Sequence, residues 1–200
     1  MPRETLTSAG SGVIAGHVRE FRTGKPVEGM TCRALPRSGT TRTSFPAGDG
    51  VRTDAQGAFT ITAAPAGTIS VACDGLWRNY SDGLRMITLA AGQRTDLDVK
   101  VVELLGAPTT VFAGLGADFD PQLLVPRVVR VQPGGPAAAA GLLEGDLVIA
   151  VDDAPVTELS TRGVWLAILN RQPGSKVKIG VTRGGKTISA DVTLGNVPHE

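Results

Sequence analysis

One stretch limits what this chain can fold into more than any other, Gly114 to Val156. It opens Gly114-Leu115-Gly116-Ala117-Asp118-Phe119 and continues through an extended apolar run, Leu124 to Val131. It then reads Pro133-Gly134-Gly135-Pro136, alanine from Ala137 to Ala140, Gly141-Leu142-Leu143 and Glu144-Gly145-Asp146. A proline suits the first position of a helix, where a missing N–H costs nothing, so Pro136 predicts a helix start. The alanines propagate one short helix, and Gly141 ends it in a left-handed cap. Gly145-Asp146 turns the chain into a strand in which Leu147, Ile149 and Val151 alternate with Val148, Ala150 and Asp152.

Beyond it, Ser160 or Thr161 is a fitting N-cap for a helix running to about Asn170. Val164, Trp165, Ile168 and Leu169 make an apolar stripe at helical spacing. Pro173-Gly174 stops that helix; Val177, Ile179 and Val181 make a strand; Gly184-Gly185 reads as a two-residue hairpin turn into Ile188, Ala190, Val192 and Leu194.

Together these residues resemble the PDZ domain in its bacterial form. Gly135-Pro136-Ala137, Ala140-Gly141-Leu142, Gly145-Asp146 and Val151-Asp152-Asp153 carry the resemblance; Gly135 stands for the family's usual serine and Asp153 for its usual glycine. The resemblance implies a small, partly open β-barrel with two helices over residues 109–196. It also implies a mechanism. A loop presents successive backbone N–H groups to the C-terminal carboxylate of a peptide, which lies as an added strand between the following strand and the long helix. Here that loop is Gly114, Leu115, Gly116 and Ala117, and Phe119, Thr161, Val164, Trp165 and Ile168 are the implied walls. Ala117 replaces the usual phenylalanine, which predicts a wider or shallower pocket for an apolar last side chain. Residues 108–113 contain no Lys or Arg, so an internal segment or a partner's edge strand remains an alternative occupant.

The first half reads differently. Val13–Val18, Val27–Leu35, Phe59–Ile61, Thr68–Cys73, Met86–Leu89 and Arg94–Leu104 are short extended runs with turns between them and no helical period. Such spacing predicts a β-sandwich, prealbumin- or Ig-like, so the chain as a whole should be mostly β with two domains. Gly24, Pro26 and Gly29, then Thr53, Asp54, Gly57 and Phe59, then Pro65 and Gly67, resemble the carboxypeptidase regulatory-like domain over residues 12–104. That family is prealbumin-like and implies a structural or interaction module without catalysis. Asp54 should cap turn N–H groups rather than act as a metal or catalytic carboxylate, and Gly57 should supply a positive φ. Residues 1–11 read as a flexible leader, residues 105–108 as a short linker.

Composition narrows the function. The chain has 200 residues, a length suited to two domains, and a net charge of +1 with acids and bases interspersed, unlike a nucleic-acid footprint. There are two histidines, His17 in an exposed phase of the first strand and His199 in the tail, and no nucleophile elbow. No enzyme activity, metal or cofactor is expected. No apolar run is long enough to span a membrane. Met1 to Gly12 lacks an apolar signal core, which leaves a cytoplasmic chain, a removed signal, or a piece of a longer protein.

The main expectation is a non-enzymatic module that binds a protein or peptide ligand. One rival is the regulatory portion of a larger envelope protease; another is surface glycan or partner binding through the sandwich loop Pro36 to Gly50. Cys32 and Cys73 lie on the inward phase of strands that the prealbumin-like topology would place near each other, adjacent or facing. They are a disulfide candidate, and such a bond points to a periplasmic or extracellular location.

Overall fold

The computed structural model describes residues 11–36, 50–74, 79–104, 113–120 and 126–196. Residues 1–10 of the leader, the linker and residues 37–49 of the sandwich loop lie outside the described residues, and Ser11 is already strand. The described residues are mostly β, with two α-helices among them. No helix among the described residues is long and apolar enough to cross a membrane.

The first half holds β1 (Ser11–Glu20), β2 (Thr31–Pro36), β3 (Val51–Arg52), β4 (Ala58–Pro65), β5 (Gly67–Asp74), β6 (Gly83–Leu89) and β7 (Arg94–Val101). They form two sheets, β4-β1-β7 and β3-β2-β5-β6, which share one core. The alternation read in β5 is visible there: Ile69, Val71 and Cys73 have no exposed surface. β1 sits in the middle of its sheet, antiparallel to β4 and parallel to β7. Their approach is close, because a Cβ on Gly16 would stand 1.8 Å from the Leu97 carbonyl oxygen. Gly16→Ala should therefore push β1 off β7 and destabilise the chain by about 2–3 kcal/mol. A urea midpoint equal to that of the wild type would show that the strands part without cost.

Asp54 works as a turn cap. Its Oδ1 accepts the N–H of Gln56 at 2.9 Å and of Ala58 at 2.8 Å, while Gly57 takes φ +73°. Next to it the buried Thr53 hydroxyl donates to the Val27 carbonyl at 2.7 Å and accepts the Met30 N–H at 3.0 Å. These bonds and the φ of +78° at Gly29 hold residues 26–30 as a turn. The second strand therefore starts at Thr31, not at Val27. Cys32 and Cys73 stand opposite each other in the β2–β5 ladder, Cα to Cα 4.0 Å, and are joined by a disulfide.

The second half holds β8 (Ala113–Gly114), β9 (Ala117–Phe119), β10 (Val128–Val131), α1 (Pro136–Ala139), β11 (Leu147–Val151), β12 (Ala154–Pro155), α2 (Thr161–Leu169), β13 (Lys176–Arg183), β14 (Lys186–Thr193) and β15 (Gly195–Asn196). The sheets are β12-β11-β13-β14, β10-β9 and β15-β8, and among the described residues these ladders do not close into a barrel. Pro136 opens α1 and Gly141 follows it with φ +78°. Ser160 is the N-cap of α2, its oxygen accepting the Gly163 N–H at 3.0 Å. The alternation expected in β11 is corrected: Val148 and Val151 face the core, because the ladder with β13 shifts register between Val148 and Ala150. That irregularity turns one residue of the strand and so reverses the phase.

Asp146 has no exposed surface, yet it is satisfied. It accepts the Leu143 N–H at 2.9 Å and two N–H groups of Arg183, both at 2.7 Å. Burial pushes its carboxyl upward, but the Arg183 hydrogen bonds, the Leu143 amide and the Arg183 charge together hold it below the usual carboxylate range.

Candidate ligand groove

Among the described residues β9 is paired on one side only, by β10. The Gln132 N–H donates to the Gly116 carbonyl at 2.8 Å, and the Asp120 N–H to the Arg127 carbonyl at 2.9 Å. Between these bonds lie the pairs Ala117↔Val131 and Phe119↔Val128. Residues in such pairs turn their N–H and C=O away from the partner strand. Ala117 and Phe119 therefore present main-chain groups along an edge that no strand of the described residues covers.

The loop before β9 is set by its neighbours. The Leu115 carbonyl accepts the Ala137 N–H of α1 at 2.8 Å, and the Gly116 carbonyl is held by Gln132. In a planar trans peptide the N–H points opposite the C=O. Fixing these two carbonyls inward thus aims the amides of Gly116 and Ala117 away from α1 and β10. Gly116 makes the bend with φ +68°.

A cavity of about 300 Å³ lies at this loop. Residues 113–118 form one wall, Arg130 and Gln132 another, and Trp165 and Leu169 of α2 the third. Of the residues expected from the sequence, Gly114, Leu115, Gly116, Ala117 and Trp165 line it. Phe119 meets Trp165 edge to face, with ring centroids 5.1 Å apart. Thr161 opens α2, half-buried, and is not in the cavity wall. Val164 and Ile168 have no exposed surface and belong to the core. The apolar stripe of α2 thus splits into an inward pair, Val164 and Ile168, and a cavity pair, Trp165 and Leu169, each at four-residue spacing.

Arg130 and Gln132 were not anticipated. Polar residues two apart at the end of an apolar strand share a face, and that is the signal which could have found them. The Arg130 guanidinium reaches Asp118 at 2.6 and 2.7 Å, with side chains 75% and 46% exposed. Such an exposed pair is held weakly and can change partners. A second hollow, over the β4-β1-β7 sheet, is lined by His17, Arg85, Arg94, Asp96 and Asp98 among others. Within it His17 lies near Asp98, Arg94 lies near Asp96, and Arg85 donates to the Asp98 carbonyl. No group of three or more His, Cys, Asp or Glu is placed to hold a metal ion among the described residues.

The family model described as PDZ domain matches residues 113–194. The periplasmic pH-dependent serine endoprotease DegQ of Escherichia coli (strain K12) is 37% identical over 70 residues, 34% of this chain and 14% of DegQ. The serine endoprotease DegS of the same organism is 36% identical over 71 residues, 36% of this chain and 19% of DegS. The serine protease Do-like HtrA of Lactococcus lactis is 32% identical over 112 residues, 56% of this chain and 23% of that protein. The chain thus spans under a quarter of the length of these curated relatives. Among solved structures, the serine endoprotease from Yersinia pestis is similar at 25% identity and a TM-score of 0.36, over 44% of this chain and 30% of that one.

Proposed function

We propose that the PDZ domain formed by residues 113–194 captures an extended polypeptide as an added strand on β9, with the end of that polypeptide at the Gly114–Ala117 loop. The observation that carries this reading is the open β9 edge running into a loop whose amides point outward, beside a walled cavity. Main-chain bonds to Ala117 and Phe119 supply affinity, and the cavity supplies choice. Trp165 and Leu169 make its helix wall apolar, and the small Ala117 leaves room, so the ligand's last side chain is apolar. Arg130 is the cation at the cavity, in place of one in residues 108–113.

Octapeptides ending in Ala, Val, Leu or Phe, each as free acid and as amide, test this by fluorescence anisotropy. The free acid of at least one should bind tenfold or more tighter than its amide, as a charge-assisted site requires (about 1.4 kcal/mol). Trp165→Ala should weaken that binding about tenfold, as loss of an aromatic anchor does. Equal affinity for acid and amide would remove the carboxylate from the reading and leave an internal strand; no binding by any peptide would remove the groove.

The names of the relatives support a second reading of the whole protein, in which this chain is the substrate-recognition part of a periplasmic or envelope protease whose catalytic groups lie elsewhere. The chain alone should then leave casein uncut, and cleavage abolished by a serine-protease inhibitor would overturn that. The first half, residues 12–104, fits a carboxypeptidase regulatory-like interaction domain, supported by the Thr53–Asp54–Gly57 turn and the shared two-sheet core. Residues 109–196 then bound the second domain.

A further inference from the structure

The helix that walls the groove is held from behind by the other half of the chain. Three side chains make the bonds. Arg22, in the turn after β1, donates from Nη2 to the Ala167 carbonyl at 3.0 Å. Asn170, the C-cap of α2, donates from Nδ2 to the Glu103 carbonyl at 2.6 Å. Ser160, the N-cap, donates to the Asp82 carbonyl at 3.2 Å. Both ends of α2 are therefore tied to the first half. Phe21 and Val102 of that half also pack into the core of the second, with Val164, Ala167 and Ile168.

The chemistry suits the position. Carbonyls in the last turn of a helix lack an intrahelical partner and carry partial negative charge. Ala167 lies in that turn, and its oxygen receives guanidinium N–H groups from Arg22 and from Arg171 at 3.1 Å. Arg171 is itself paired with Asp152. The turn that presents Arg22 is built to keep its shape: buried Glu20 accepts, on Oε2, the N–H of Arg22 at 2.8 Å and the N–H and hydroxyl of Thr23 at 2.6 and 2.8 Å. The Phe21 N–H is fastened to the Val101 carbonyl at 2.7 Å.

We propose that the first half of the chain is a brace for α2, that Arg22 is a positioning residue for the groove, and that groove affinity is coupled to the state of residues 12–104. A strand entering between β9 and α2 makes its apolar contacts on Trp165 and Leu169, which move with the helix. A helix free to rock would have to be ordered on binding; a braced one is already in place. The coupling to ligand rests on the peptide-capture reading. The brace itself does not.

The experiment keeps the two apart. In the full chain, Arg22→Met and Arg22→Lys are compared with wild type, and Arg52→Ala on the exposed strand β3 serves as control. Hydrogen exchange is read at the Asn170 amide, which closes the last turn of α2 on the Leu166 carbonyl, and at the Arg171 amide, which bonds the Leu169 carbonyl just beyond it. Arg22→Met should exchange there about fivefold faster or more, the effect of one lost hydrogen bond, with β11 to β14 unchanged. Arg22→Lys should restore most of the protection. Unchanged exchange in α2, or an equal rise throughout the second half, overturns the brace. The free-acid octapeptides then read the coupling: Arg22→Met should weaken the tightest of them at least fivefold, and equal affinity overturns the coupling. If no peptide binds wild type, the capture reading and the coupling both fall, and exchange alone decides the brace.

Discussion

Breaking Cys32–Cys73 should destabilise the first half of the chain by about 4 kcal/mol, since the bond closes a loop of sequence separation 41 and a loop of that size loses about that much unfolded-state freedom in the chain-entropy model. These are the chain's only cysteines, so no alternative pairing competes. Both sit with no exposed surface in the shared core, opposite each other in one ladder whose strands are also joined by main-chain pairing. The loss is therefore expected in the unfolded-state reference rather than in the native contacts. Urea unfolding of the oxidised chain, of the chain with a phosphine reductant, and of Cys32→Ala/Cys73→Ala would measure it. The transition of the first half should move to lower urea in the second and third, and that of residues 113–196, which has Phe21 and Val102 in its core only while the first half is folded, should move less. Thiol titration of denatured, unreduced protein made under oxidising conditions should find no free thiol. Two free thiols, or a reductant effect under 1 kcal/mol, would refute the expectation. A bond of this kind persists in oxidising compartments, the setting that the names of the Deg relatives give for those proteins.

Asp146→Asn also carries a large expected effect, and one that depends on pH. Asparagine in this site offers one acceptor where the carboxylate offers two, and it turns an N–H toward groups that are themselves donors, Leu143 N–H and Arg183. Removing one side of a buried charged pair ordinarily costs several kcal/mol. The Arg183 side chain is 33% exposed, so water screens part of the loss and about 2 kcal/mol is expected. The effect depends on pH in a fixed direction. The Asp146 carboxyl is held below its usual range in the fold, so the folded state binds its proton less readily than the unfolded chain does. Its contribution is complete above the unfolded value, near pH 4, and fades as pH falls through the lower folded value. Wild type and Asp146→Asn should thus differ by a constant amount from about pH 5 to 8 and converge below about pH 4. A difference that is flat down to pH 3, or that grows toward acid, would contradict the assignment.

Local signals in the sequence translated well where the chemistry was local. Pro136, Gly141, Ser160 and the Asp54–Gly57 turn each act within a few residues of themselves, and each does in the structure what its type suggests. The groove loop was legible for the same reason, since Gly116 has to bend. What could not be read was set by distant partners. The reversed phase of β11 depends on a register shift against β13. The division of the α2 stripe depends on which residues β9 and the core present to it, so Leu169 and not Ile168 reaches the cavity. Arg22 lies 145 positions from Ala167, and no periodicity in either segment announces their contact.

The parallel ladder between β1 and β7 has a consequence for how the chain is made. β1 is synthesised first, yet it occupies the centre of its sheet and one of its two partners, β7, begins only at Arg94. Pairing across so long an intervening segment requires a large loop to close before any contact rewards it, which slows folding. The second half repeats the arrangement, because β8 pairs with β15, joining Gly114 to Gly195. Neither half can be completed from a nascent fragment of itself. The strand at Ala113–Gly114 is not fastened to β15 until residue 196 has been added.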